Sequence, residues 1–132
     1  MAKTYEEFFI ECQENAVRAA LEFAEFRKEV EKVFVYAGYL DKPDVYASNY
    51  FFQVNGKIIY PGEINDELPP GSQIADTSGK REVDLLGPIN NSFKRFLTVC
   101  KEKGWKFPAE IRVTKDMRTH ALRADCLEKP RP

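Results

Sequence analysis

Histidine occurs once in this 132-residue chain and cysteine three times. The single histidine, His120, has no metal-spaced cysteine or catalytic motif around it. That argues against a transition-metal centre and against a histidine-based catalytic pair. Cys12, Cys100 and Cys126 are far apart, and no Cys-x-x-Cys occurs. They are expected to be buried free thiols in a reducing compartment. No stretch approaches the roughly 18 apolar residues of a membrane span. The N-terminus, MAKTYEEFFIEC, is acidic where a secretion signal would be basic and then apolar, so a cytoplasmic location is expected. Gly71 and Gly79 lack the Lys-Ser or Lys-Thr of a phosphate loop, and there is neither a Gly-x-Gly-x-x-Gly nor a Gly-x-Ser-x-Gly. Asp41 with Asp44, and Glu63 with Asp66 and Glu67, lack the alternating pattern of a calcium loop. The expectation is therefore no enzyme, no metal ligand, no catalytic residue and no cofactor.

What is present is enough apolar material for one core: 43% hydrophobic and 13% aromatic residues, in a length that suits a single domain over residues 1–132. The net charge of −1 hides an asymmetry. Residues 1–93 carry 9 basic and 16 acidic side chains, whereas residues 94–132 carry 11 basic and 5 acidic. Such a split can give a fold two faces of opposite potential, one of which could steer a charged protein partner.

Thr4 and Glu7 have the spacing of a capping box. After them Phe8, Cys12, Ala16, Ala19, Phe23, Phe26 and Val30 recur at helical steps, which predicts a helix over about residues 4–30. Val33–Tyr39 reads as a strand, with a turn at residues 41–44 and a second strand over 45–54. Asn55-Gly56 then predicts a tight hairpin into Lys57–Tyr60, because both turn residues must accept positive φ. Residues 61–80, with three prolines and three glycines, read as a long exposed loop and a binding feature. A second helix is predicted from Pro88 to Lys103, with a looser turn before it and Gly104 ending it. A last hairpin pairs residues 109–114 with 122–126, and residues 127–132 read as a frayed tail. The order α-β-β-β-α-β-β predicts an α+β fold: a mostly antiparallel five-stranded sheet with two amphipathic helices on one face.

Two surfaces compete for a function. Lys94, Arg95, Lys101, Lys103, Lys106, Arg112, Lys115, Arg118 and Arg123 interleave with Trp105 and Phe107, which would suit single-stranded nucleic acid. Against that, an overall pI of about 5.9 and the need for aromatics to anchor the helix-to-strand crossing favour packing. Tyrosines crowd the first three strands, at 36, 39, 46, 50 and 60. Those on the exposed side of the sheet could anchor a protein partner. The candidate partner-binding residues are Tyr39, Asp41, Asp44, Tyr46, Tyr60, Glu63, Asp66, Glu67 and Asp76, an acidic rim around aromatic anchors.

The acidic N-terminal helix, VEKVFVYAGY, NYFFQVNGKIIYPGEIND, the Leu-Leu-Gly before the second helix and PAEIRVTKDMRTHALRAD follow one another over most of the chain. In these segments the chain resembles the YezG-type immunity proteins of bacterial toxin–immunity systems, including contact-dependent growth inhibition. The resemblance implies a small cytoplasmic protein. It would neutralise the C-terminal domain of a cognate toxin, a nuclease or another cell-killing enzyme, in a one-to-one complex without catalysis. A general protein-binding adaptor and a small single-stranded nucleic-acid-binding domain are the alternatives.

Overall fold

The computed structural model describes residues 3–40 and 45–127; the side chains of residues 40, 45, 46 and 127 are not among the features described. The expected turn at Asp41–Asp44 and the expected tail beyond residue 127 lie outside the described residues. The elements are α1 (Tyr5–Phe23), β1 (Val30–Leu40), β2 (Val45–Val54) and β3 (Lys57–Ile59), two 3₁₀ turns (Pro61–Asp66 and Pro70–Ser72), α2 (Gly79–Lys103), β4 (Glu110–Asp116) and β5 (Leu122–Leu127). The strands form one sheet in the order β3-β2-β1-β4-β5, and every neighbouring pair is antiparallel. The α+β architecture expected from the sequence is the one observed.

α1 begins as its sequence dictates. The Thr4 hydroxyl accepts from the Glu7 amide at 3.2 Å, and the Glu7 carboxylate accepts from the Thr4 amide at 3.3 Å. It ends earlier than the apolar periodicity predicts, at Phe23. There the Phe26 amide donates to the Leu21 carbonyl at 3.0 Å and the Glu25 amide to the Glu22 carbonyl at 3.1 Å. This is the bonding of a Schellman stop, normally built on glycine. Here Glu25 and Phe26 take it, with φ of 50° and 54°. Phe26 is thereby thrown outward, 57% exposed, and Val30 is buried as the first residue of β1.

The helical pair lies against one face of the sheet. Ala16 and Ala20 of α1 are fully buried; with nothing beyond Cβ they let α2 approach closely. Phe9 stacks on Phe96 at 5.0 Å between ring centroids. Beneath the helices the sheet contributes Val33, Val35, Phe52, Val54, Ile111 and Val113, none more than 1% exposed. Burying each such side chain contributes about 1.5–3 kcal/mol.

α2 starts at Gly79, nine residues before the predicted start at Pro88. Ser78 caps it, its hydroxyl accepting from the Arg81 amide at 3.2 Å. Leu85 and Leu86 pack on the core ahead of the proline. Pro88 is thus an interior proline, tolerated because tertiary packing holds the turn before it. Gly104 closes the helix with φ of 71°, as expected.

Residues 61–80 are not the open loop that their composition suggests. The two 3₁₀ turns fold the segment onto the core and bury Ile64, Leu68 and Ile74 to 5% exposure or less. The Asn65 side chain brackets Ile74, donating to its carbonyl at 2.9 Å and accepting from its amide at 2.7 Å.

Candidate protein-binding face

The face of the sheet turned away from the helices is covered by no other element among the described residues. Pairing places Phe34 opposite Phe51, Tyr36 opposite Asn49 and Gln53 opposite Ile58. Because side chains alternate along a strand, Phe34, Tyr36, Phe51 and Ile58 share this face, as does Tyr60 beyond β3. Phe34, Tyr36 and Phe51 are half-buried, while Ile58 and Tyr60 are 67% and 65% exposed. Tyr36 meets Phe51 edge-on at 5.4 Å, and Phe51 meets Tyr60 at 5.4 Å, so the three rings form a row across β1, β2 and β3.

Charge brackets the row. At one end the Arg112 guanidinium lies 5.3 Å from the Tyr36 ring centre, and its Nε donates to Glu110 at 2.7 Å. At the other end the Tyr60 amide donates to the Glu63 carboxylate at 3.2 Å, and Asp66 is exposed at the end of the same 3₁₀ turn. The row therefore runs from a cation to a pair of acids.

The candidate residues named from sequence divide accordingly. Tyr60 and Glu63 stand together at the acidic end, and Asp66 is exposed at the far end of the same turn. Tyr39 does not join them. It is 9% exposed on the helix side of the sheet, its ring 5.3 Å from Phe107 and 5.9 Å from the Lys101 ammonium. Tyr50 is likewise buried, donating its hydroxyl to the Glu82 carbonyl at 2.9 Å. Glu67 and Asp76 have local partners. Glu67 accepts from Lys57 at 3.2 Å and its carbonyl accepts from the Asn55 side chain at 3.0 Å, while Asp76 accepts from the Ser78 amide at 2.9 Å. Asp41, Asp44 and the Tyr46 side chain lie outside the described residues. Phe34, Tyr36, Phe51 and Arg112 were missing from that set. Strand alternation separates Phe34 and Tyr36 from Tyr39 within β1 and Phe51 from Tyr50 within β2, whereas Arg112 joins them only through the long-range β1–β4 pairing. A scan of protein-family models finds no match to this chain, and a search of curated proteins finds none.

The interleaved aromatics of the basic segment are occupied by packing. Phe107 lies between Phe96 and Tyr39, at 5.7 and 5.3 Å, and Trp105 packs edge-on against Tyr5 at 5.6 Å. The basic residues also divide: Lys94, Arg95, Lys101 and Lys103 belong to α2, whereas Arg112 and Arg123 lie on the opposite side of the sheet. Cys12 and Cys100 are buried free thiols as expected, and burial pushes the Cys12 thiol up to about 12. Cys126 departs from the expectation: it is exposed, because β5 is an edge strand. Among the described residues no helix is long and apolar enough to cross a membrane.

Several surface carboxylates hold the loops that frame the face. Glu31 accepts from the Gly56 amide at 2.7 Å and from Arg118 at 2.6 Å, tying the β2–β3 turn to the β4–β5 turn. The Gly56 bond holds its carboxyl below the usual 4.5. The Thr119 and Arg118 amides lower Asp116, the Lys57 ammonium lowers Glu67, and the Ser78 amide lowers Asp76. Groups depressed on folding contribute stability above their unfolded values, near 4, and lose it as pH falls through the folded ones. Melting followed by circular dichroism should give a steady Tm from pH 7 to about pH 5 and a decline below. Glu31→Gln should make that decline shallower; an unchanged slope would remove Glu31 from this account.

Proposed function

We propose that this chain is a non-catalytic inhibitor of the immunity-protein kind, which binds a cognate bacterial toxin domain through the open sheet face and neutralises it. The observation that carries the reading is the row Tyr36–Phe51–Tyr60, aromatics in successive edge-on contact on the open face of the sheet, ending in the exposed Tyr60. Large, stiff side chains with a polar tip supply binding area at a low entropic cost. Soluble proteins rarely leave such rings uncovered without a partner. The resemblance in sequence to YezG-type immunity proteins supplies the class of partner. Glu63, bonded to the Tyr60 amide, and the exposed Asp66 on the same turn suit a basic target surface such as that of a nuclease, where charge speeds encounter and the aromatics slow release.

The test is co-expression. A toxin domain encoded beside this gene, produced alone, should arrest growth; produced with this chain, it should be harmless and co-purify with it one-to-one. Continued killing despite abundant folded chain would remove the toxin from the reading.

A further inference from the structure

The two edges of the sheet differ. β3 has three residues, pairs only with residues 52–54 of β2, and leads through Tyr60 into Pro61, so this edge is short and stepped. β5, on the far edge, has six residues, and no strand lies beyond it among the described residues. The Asp116 amide donates to the Ala121 carbonyl at 2.9 Å, so residues 121, 123, 125 and 127 turn their backbone groups toward β4. Leu122, Ala124 and Cys126 therefore present their N–H and C=O groups to the free edge.

We propose that this edge is a self-association surface, where β5 pairs antiparallel with β5 of a second copy about a two-fold axis at Ala124, doubling the five-stranded sheet. The charges select the partner and the register. Arg123 and Asp125 project from the open face, 76% and 59% exposed, and within one chain they bond each other at 3.2 Å. Charges on an edge strand ordinarily discourage pairing. Opposite charges two residues apart do the reverse when the strand meets itself. With Ala124 opposite Ala124, each Arg123 faces the other copy's Asp125. Leu122 faces Cys126, and every outward N–H and C=O of residues 122, 124 and 126 finds a partner. Sliding the axis to residue 123 sets Arg123 against Arg123, and sliding it to residue 125 sets Asp125 against Asp125, both repulsive. On the helix side, Leu122 of the second copy would stand beside the hollow that Cys126 lines with Tyr5, Phe9 and Trp105.

Sedimentation equilibrium of the full chain from about 1 µM to 1 mM should give a reversible monomer–dimer equilibrium. Arg123→Asp alone and Asp125→Arg alone should each weaken it about tenfold, and the double reversal should restore it to within about threefold. A chain monomeric throughout that range overturns the proposal, as does a double reversal no tighter than the single ones. In a Cys126→Ser background, Ala124→Cys should oxidise to a disulfide-linked dimer, since facing Cα atoms of a bonded antiparallel pair lie about 5.5 Å apart. Its failure to cross-link would overturn the register. The seam lies on β5, with Asp125 opposite Arg112 at one end of the aromatic row, but sedimentation uses this chain alone, so failure of toxin rescue leaves dimerisation standing, and the reverse also holds.

Discussion

Arg81→Ala is expected to destabilise the fold by about 3 kcal/mol, a drop in Tm of roughly 10 °C for a chain of this length. Arg81 stands in the first turn of α2 and reaches back to the end of α1. Its Nη2 donates to the Glu22 carbonyl at 2.7 Å, and its Nη1 donates to the Phe23 and Asp76 carbonyls, both at 2.8 Å. Its guanidinium carbon sits 4.8 Å from the Phe23 ring centre. The last carbonyls of a helix have no intrahelical donors and carry the negative end of its dipole, and α1 has no basic residue in its final turn. One guanidinium thus supplies a donor to the Phe23 carbonyl, a further one to Glu22, the compensating charge and a clamp between the two helices. Arg81→Lys keeps the charge and loses the fork, so it should recover less than half of the loss. A destabilisation below about 1 kcal/mol in urea titration would mean that water replaces the clamp.

This clamp explains why both helix boundaries were misplaced from sequence while the helices themselves were plain. The apolar steps through Phe26 and Val30 continue in phase past Phe23, and no glycine marks the stop. Glu25 and Phe26 are held in left-handed geometry by their amide bonds and by the return of the chain into β1. At α2, a proline nine residues into the helix carried more weight in the sequence than the Ser78 cap. The cap prevails because Arg81, Leu85 and Leu86 are all anchored. Strands were easier. Asn55-Gly56 takes φ of 54° and 75°, as a two-residue hairpin turn demands, and that one turn sets the β2–β3 register.

The surface was less legible. Aromatic residues in strands announce a sheet, but which of them face solvent depends on where the helices lie. Tyr39 and Tyr50 alternate out of phase with Tyr36, and the helices cover the side they share. The acidic segment was informative in composition and misleading in shape. Ile64, Leu68 and Ile74 recur among its prolines and glycines as core anchors, and Glu63 ends up bonded to the amide of the exposed Tyr60.

Truncating Tyr36 or Phe51 to alanine should weaken binding of the proposed toxin partner by about 2–4 kcal/mol each, roughly 30- to 1,000-fold in Kd. The stability cost should be much smaller. Both rings lie on the open face, so their removal leaves no cavity, and a half-covered ring contributes less to folding than to a dry interface. Tyr36 is the more sensitive of the two, because Arg112 rests on its face and would lose its position along with the ring. Tyr39→Phe, on the helix side, is the control and should leave Kd unchanged. Charge reversal at Asp66 should act differently: it should slow association, most at low salt, and change dissociation little. Surface plasmon resonance separates the two effects. If alanine at both Tyr36 and Phe51 left affinity within threefold of the natural chain, the aromatic row would not be the interface. The acidic end alone, or the helix side of the molecule, would then have to carry the complex.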